Sequence, residues 1–113
     1  MSKININLKL FNKTTNNLYT INTKCIKSDN EIKFYDNYTL NIYNINNSYL
    51  IRKNKEYNIE LDFKNNKGYI NTNNLKLDFK IKTNFIKKND NYIEIDYIIY
   101  MDGEEKYNYR IEW

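Results

Sequence analysis

Alternation of apolar and polar residues constrains the fold of this chain more than any other feature of its sequence. The pattern is clearest in the last quarter, where Ile93, Ile95, Tyr97 and Ile99 fall on one parity. Successive side chains of a β-strand point to opposite faces, so this pattern predicts a strand with one apolar and one mostly polar face. No segment of useful length has helical periodicity, and the sequence therefore indicates an all-β protein.

Asp102 and Gly103 interrupt the alternation, which then resumes up to Trp113. A type I′ turn needs positive φ at both central residues, and an Asp-Gly pair is one of the sequences that supply it. The last quarter is therefore predicted to be a long antiparallel hairpin. Its second strand carries Tyr107, Tyr109, Ile111 and Trp113 on one parity.

Pairs of Asn and Asp separate the earlier alternating runs. Both residues tolerate the left-handed conformation and bond to nearby backbone, so they can form turns in a chain with two Gly and no Pro. Together with the hairpin, these runs predict about ten strands. The earlier runs are 3–10, 18–27, 31–35, 38–45, 48–53, 56–64, 69–72 and a long one that starts at Leu75 and ends before Asn89.

Residues 1–113 are predicted to form a single domain, an antiparallel up-and-down β-barrel of about eight to ten strands with a β-sandwich as the alternative. Closure into a barrel leaves no unpaired strand edges, which could otherwise pair with other chains. Phe79 and Ile95 are expected inside, and Phe85 continues the inward parity of Phe79. Tyr43 is expected to face outward.

The composition shifts towards Asn, Lys, Ile and Tyr, whose codons are rich in A and T. An AT-rich genome explains the lysines, so the net charge of +4 indicates a mixed-charge surface and does not by itself point to nucleic acid. The lone Cys25 cannot form an internal disulfide, and its parity with Tyr19 and Ile21 makes it a small core residue. There is no signal-peptide pattern and no membrane-spanning run, so we expect a cytoplasmic protein without a membrane partner.

Four segments, in order, resemble the YwiB-like bacterial domains of unknown function. They are EIKFYDNYTLNIY, YLIRKN, LKLDFKIKTNFI and IEIDYIIYMDGEEKYNYRIEW. This resemblance implies a bacterial protein with a calycin (lipocalin-like) barrel and a ligand-sized interior, and it brings no catalytic residues. The chain departs from the family by its short loops and its scarcity of Gly and Gln.

The residues needed for most catalytic and metal sites are missing. Without His there is no nucleophile–imidazole pair, and a single Cys and scattered carboxylates predict neither catalytic residues, nor a metal site, nor a cofactor. One enzymatic alternative comes from analogy of fold alone. Phenolic acid decarboxylases are lipocalin-like barrels that use tyrosines, an arginine and a glutamate, and this chain has those residue types.

Six residues are candidates for binding a ligand. Arg52 and Arg110 stand out in a chain rich in Lys, because the planar guanidinium suits a carboxylate or phosphate. Several of the twelve tyrosines share parity with apolar neighbours, and a buried hydroxyl needs a partner. These are Tyr57, Tyr97, Tyr107 and Tyr109. Surface pairing of the arginines and core packing of the tyrosines are the alternative interpretations.

The favoured function is therefore a non-catalytic module that binds a small apolar or amphipathic ligand in the barrel interior, which requires a cavity of several hundred Å³. The alternative is a nucleic-acid or protein interaction module that uses outward lysines with Tyr35, Tyr43 and Tyr100. The sequence has no nucleic-acid recognition motif, which disfavours that partner. Monomer and homodimer both stay open, since an exposed strand edge could pair with a second copy.

Overall fold

Ten β-strands joined by short turns make up residues 2–113. The computed structural model describes residues 2–113, and within that range no helix is long and apolar enough to cross a membrane. The strands are β1 Ser2–Asn12, β2 Asn17–Lys27, β3 Glu31–Asp36, β4 Thr39–Asn44, β5 Tyr49–Lys53, β6 Tyr57–Asp62, β7 Lys67–Thr72, β8 Lys76–Lys88, β9 Tyr92–Tyr100 and β10 Glu104–Glu112.

Each strand pairs antiparallel with the next one in the chain, and β1 also pairs with β10. The closing ladder runs from Asn7 opposite Glu112 to Asn12 opposite Tyr107. The sheet is therefore a closed up-and-down barrel, which confirms the fold class predicted from the alternation. In such a barrel one face of every strand points into a shared interior.

The ladder between β2 and β3 is much shorter than the others. Only Ile26–Lys33 and Lys27–Ile32 are in register there, whereas β1 and β2 pair along their whole length. Beyond these two pairs the strands are linked by a side chain, because the Tyr19 hydroxyl donates to Oδ1 of Asp36 at 2.6 Å. Fewer backbone hydrogen bonds therefore join β2 to β3 than join the other neighbouring strands. We call this junction between β2 and β3 the seam.

Asn and Asp side chains organise most of the turns. The Oδ1 atoms of Asn12, Asn54 and Asn89 each accept hydrogen bonds from two backbone N–H groups two and three residues further on. Asp102 and Gly103 both have positive φ, as predicted for the last hairpin, and so do Asn16, Asn37, Ser48 and Asn66. Local side-chain bonds therefore replace the Gly and Pro that most turns use.

The inward faces form one continuous core. Phe79 and Ile95 are buried, as predicted, and Cys25 packs among them as a small core residue. The largest fully buried side chains come from β3, β4, β5, β9 and β10 and from the turn after β6, so strands far apart in the chain share the core. They are Tyr43, Phe63, Ile32, Leu50, Ile93, Ile95 and Ile111.

Tyr43 faces the interior and is fully buried, so the prediction that it faces outward is wrong. The reason is the two-residue turn between β3 and β4, which sets Asp36 opposite Thr39 and therefore Phe34 opposite Asn41. Paired residues of a sheet lie on the same face. Because Phe34 is buried, Asn41 and then Tyr43 follow it inward.

Phe85 does not continue the inward parity of Phe79, so that prediction is also wrong. A β-bulge between Thr83 and Phe85 leaves Asn84 without a partner in the ladder. One extra residue reverses the parity of the rest of the strand. Ile86 therefore packs on the core, while Lys87 lies over the Phe85 ring at 4.8 Å outside.

Candidate functional site

A cavity of about 180 Å³ lies inside one end of the barrel. We call this end the mouth, and it is the end at which β1 meets β2, β3 meets β4, β5 meets β6, β7 meets β8 and β9 meets β10. Fully buried side chains such as Ile32, Ile93 and Ile111 lie towards the other end. The cavity is lined by Leu10, Leu50, Arg52, Ile59, Leu61, Ile70, Phe79, Tyr97, Ile99, Met101, Tyr107 and Tyr109.

Most of the lining is apolar and comes from inward positions close to the mouth. Leu10, Ile59, Ile70 and Ile99 all belong to the inward parity of their strands, yet each is only half-buried. Since a fully packed barrel would enclose them, their partial exposure reflects the space that they border. The walls of the cavity therefore favour an apolar ligand surface.

Arg52 is the charged residue among those that line the cavity. It lies on the inward parity of β5 because it is opposite Asn41 on one side and Ile59 on the other. Its Nη2 is 3.8 Å from Oδ2 of Asp36, longer than a hydrogen bond, and its side chain is 30% exposed. Arg52 thus brings a guanidinium with one loosely held counter-ion to the mouth.

Three tyrosines converge on the same cavity. The Tyr97 and Tyr107 rings stack with centroids 5.4 Å apart, and Tyr107 donates its hydroxyl hydrogen to Glu105. Tyr109 is 3% exposed, and its hydroxyl has no hydrogen-bond partner among residues 2–113. A buried hydroxyl without a partner is unusual, because its desolvation is not compensated.

The phenols of the cavity are hydrogen-bond donors at neutral pH. Burial raises the pKa of Tyr107 to about 12, and the hydrogen bond to Glu105 adds to the effect. Burial also raises the pKa of Tyr97 and of Tyr109 well above the ordinary value, although the Arg52 charge lowers both in part. Within residues 2–113, no group of three or more His, Cys, Asp or Glu side chains is arranged to hold a metal ion.

Four of the six residues singled out from the sequence meet at this cavity, namely Arg52, Tyr97, Tyr107 and Tyr109. Tyr57 and Arg110 do not line it. Tyr57 is half-buried where β6 begins, and its backbone closes the turn with Asn54. Their roles in ligand binding stay predictions.

Arg110 lies on the outer wall, on the opposite parity from Tyr109. Its Nε is 2.7 Å from Oε1 of Glu112, and its guanidinium is 4.7 Å from the centre of the Tyr92 ring. The alternation in the sequence already indicated that Arg110 points outward, because its neighbours Tyr109 and Ile111 both point inward. Arg110 therefore corresponds to the surface-pairing interpretation.

Asp36 and the apolar lining were missed as site residues. Leu10, Ile70 and Ile99 share the inward parity of their strands, which the alternation shows, although it does not show which inward residues border a cavity. Asp36 is at a strand end beside a turn, where parity says little. Its approach to Arg52 depends on the register of β3, β4 and β5.

The cavity is smaller than the several hundred Å³ that the sequence-based hypothesis required, so the structure does not support a ligand of that size. Pockets for drug-sized ligands have volumes of roughly 300–1,000 Å³. An engineered cavity of about 150 Å³ in another protein binds benzene, so a volume near 180 Å³ suits one ring-sized molecule. A long lipid or a cofactor-sized ligand does not fit.

Exposed large apolar side chains concentrate near the mouth. Tyr38, at 93%, is the most exposed of them and lies in the turn between β3 and β4. Within the described range 2–113, Ile26 is the one member of the set that lies near the other end. The others are Leu18, Tyr19, Tyr35, Leu75, Tyr100 and Met101, so the cavity opens through the less polar end of the barrel.

We found no match for this chain with a known protein family, a curated protein or a solved structure. The resemblance to the YwiB-like domains stays a prediction. The ligand of the protein therefore has to be inferred from the cavity itself.

Proposed function

We propose that this protein is a non-catalytic module that binds one small amphipathic molecule, about the size of a single ring, in the cavity at the mouth of its barrel. The observation that carries the proposal is the Tyr109 hydroxyl, which is buried beside the cavity and has no partner among residues 2–113. Leaving such a group unpaired costs about 1–3 kcal/mol, and a ligand with one polar group would remove that cost.

The rest of the cavity supports the same ligand chemistry. Apolar side chains such as Leu10, Ile70 and Ile99 would surround the body of the molecule, while Arg52 and Tyr109 would face its polar group. Few polar groups in a mostly apolar cavity fix the orientation of a ligand and give specificity. An entirely apolar ligand would leave the Tyr109 hydroxyl unpaired.

Binding is favoured over catalysis by the protonation states around the cavity. The raised pKa values of Tyr97, Tyr107 and Tyr109 keep the three phenols protonated near neutral pH. A general base works best when its pKa lies near the operating pH. The decarboxylase alternative keeps one supporting observation, since Arg52, Tyr107 and Glu105 are all near the mouth.

The nucleic-acid alternative loses one of its three aromatic residues, because Tyr43 is inside the barrel. The other two, Tyr35 and Tyr100, lie on β3 and β9, which are separated in the closed wall by three strands in one direction and five in the other. Recognition platforms stack successive bases on neighbouring aromatic side chains. These two tyrosines do not form one such platform.

The test is an NMR titration with benzyl alcohol, a ring-sized amphipathic probe. Wild-type protein is compared with Ile70→Phe, which fills the cavity from β7, and with the matched control Asn71→Phe, which adds the same ring to the outer face of that strand. We expect saturable shifts of residues that line the cavity in wild type and Asn71→Phe, and their loss in Ile70→Phe.

Two outcomes would contradict the proposal. One is the absence of saturable shifts in the wild type up to the solubility of the probe. The other is unchanged binding to Ile70→Phe, provided that thermal unfolding shows that this variant is folded. Native mass spectrometry of freshly purified protein adds an independent readout, because a retained small molecule would appear as a discrete mass shift.

A further inference from the structure

Arg52 has most of its hydrogen-bonding capacity unused. A guanidinium presents five N–H donors in a planar fork. Its ion-pair partner among residues 2–113 is Asp36, at 3.8 Å from Nη2 to Oδ2, which is beyond hydrogen-bond distance. Most of the fork is therefore free to bind another acceptor.

Asp36 is itself engaged elsewhere. Its Oδ1 accepts a hydrogen bond of 2.6 Å from the Tyr19 hydroxyl, across the short ladder between β2 and β3. This bond orients the carboxylate towards the seam and away from a bidentate pair with Arg52. Asp36 thus neutralises the arginine at a distance without occupying its fork.

A second donor comes from another residue that lines this cavity. The Tyr109 hydroxyl is buried and has no hydrogen-bond partner within the described residues 2–113. The guanidinium only donates, whereas the phenol can donate or accept, so a group that satisfies both residues must be an acceptor. A planar carboxylate matches the guanidinium fork and leaves further lone pairs for a phenol.

We infer that the molecule bound at the mouth is a small organic carboxylate with an apolar body, held by Arg52 and Tyr109. Asp36 is the resting counter-ion of Arg52, which the ligand carboxylate replaces at the guanidinium. This inference rests on the proposed function and adds the charge class of the ligand. A sugar, an amine and an uncharged aromatic molecule all lack the group that this pair of donors selects.

The experiment compares two probes of nearly equal shape, benzoate and benzamide, by isothermal titration at fixed ionic strength. Wild-type protein is compared with Arg52→Gln and with Arg110→Gln. The second variant removes the same charge from the outer wall, where Arg110 pairs with Glu112 and not with the cavity. Arg52→Lys is a further variant, since it keeps the charge and loses the fork.

We expect wild type to bind benzoate about tenfold or more tightly than benzamide, because hydrogen bonds to the charged carboxylate are stronger than those to the neutral amide. Arg52→Gln should abolish this preference, Arg52→Lys should reduce it and Arg110→Gln should keep it. Tyr109→Phe should weaken benzoate binding in particular. Asp36→Asn should strengthen benzoate binding and leave benzamide unchanged, because the competing carboxylate is gone.

The inference and the function on which it rests fail in different ways. Equal binding of the two probes, or a benzoate preference that survives in Arg52→Gln, overturns the carboxylate assignment and leaves the small-ligand function standing. If neither benzoate, benzamide nor benzyl alcohol binds, both are overturned. A preference that disappears equally in Arg110→Gln would show a general charge effect, and would overturn the assignment to Arg52.

Discussion

Asp96 is a buried carboxylate on the outer wall of the barrel, where three side chains surround it. It forms a salt bridge with Lys13, and Asn84 and Asn108 donate to its two oxygens at 2.9 and 3.1 Å. Burial alone would raise the pKa of Asp96, but these hydrogen bonds outweigh burial and hold the pKa below its usual range. The cluster ties the β1–β2 turn and the β8 bulge to β9 and β10.

Replacing Asp96 with Asn is expected to lower the free energy of unfolding by about 1–3 kcal/mol at neutral pH, because charge-assisted hydrogen bonds are lost. A carboxyl with a lowered folded-state pKa stabilises the protein above its unfolded pKa of about 3.9, and that contribution is lost as the pH falls through the folded value. Urea unfolding of both proteins between neutral and acid pH should therefore show the difference shrinking below about pH 4. A difference independent of pH would contradict this.

Gly68 shows how closely the inner wall is packed. A Cβ on this residue would overlap the ring of Phe79, which is opposite Gly68 in the ladder. Gly68→Ala should therefore cost about 1–3 kcal/mol, measured by urea unfolding, since the ring has to move. In a Phe79→Leu background the same substitution should cost less, and equal costs in both backgrounds would place the strain elsewhere.

At the scale of the element, alternation predicts which residues share a face, and turns and bulges decide which face that is. Within β9 and β10 the predicted parity holds throughout, because the Asp-Gly turn fixes their register. In β4 the two-residue turn after Asp36 sends Tyr43 inward, and in β8 the bulge at Asn84 sends Phe85 outward. The residue types around Tyr43 and Phe85 do not indicate in advance that the turn or the bulge changes the face to which each side chain points.

A matched pair of substitutions tests the orientation of β4. Tyr43→Lys buries an ammonium with no partner and should cost at least about 3–5 kcal/mol, a large part of the roughly 5–15 kcal/mol that stabilises a folded domain. Ile42→Lys places the same group on the outer face one residue earlier and should cost about 1 kcal/mol or less. Circular dichroism during urea unfolding measures both. Equal tolerance of the two substitutions, or the reverse order, would contradict the orientation.

At the scale of the whole molecule, closure was predictable and the size of the cavity was not. Ten amphipathic strands in a meander bury their apolar faces and protect their edges by closing, which the sequence already indicates. Strand number and stagger set the volume inside the barrel, side chains fill most of it, and the cavity is what remains. Its size depends on individual contacts, such as that of Phe79 with Gly68. The alternation of apolar and polar residues does not predict these contacts.

The same limit applies to the candidate site. The prediction selected Arg52 and Arg110 by residue type and Tyr57, Tyr97, Tyr107 and Tyr109 by parity, and the structure places four of these six around one cavity. The approach of Asp36 to Arg52 and the isolation of the Tyr109 hydroxyl arise only when distant strands meet. Both features are needed to infer the ligand.

A crystal structure of the protein grown with para-bromobenzoate is the most direct test that the mouth of this barrel is a binding site. Anomalous scattering from bromine locates the molecule without ambiguity. We predict a single strong bromine peak inside the cavity among Leu10, Ile70 and Ile99, with the carboxylate on Arg52 and the Tyr109 hydroxyl. Bromine only on the outer wall, or a cavity closed by side chains in protein that crystallises with the compound, would contradict it.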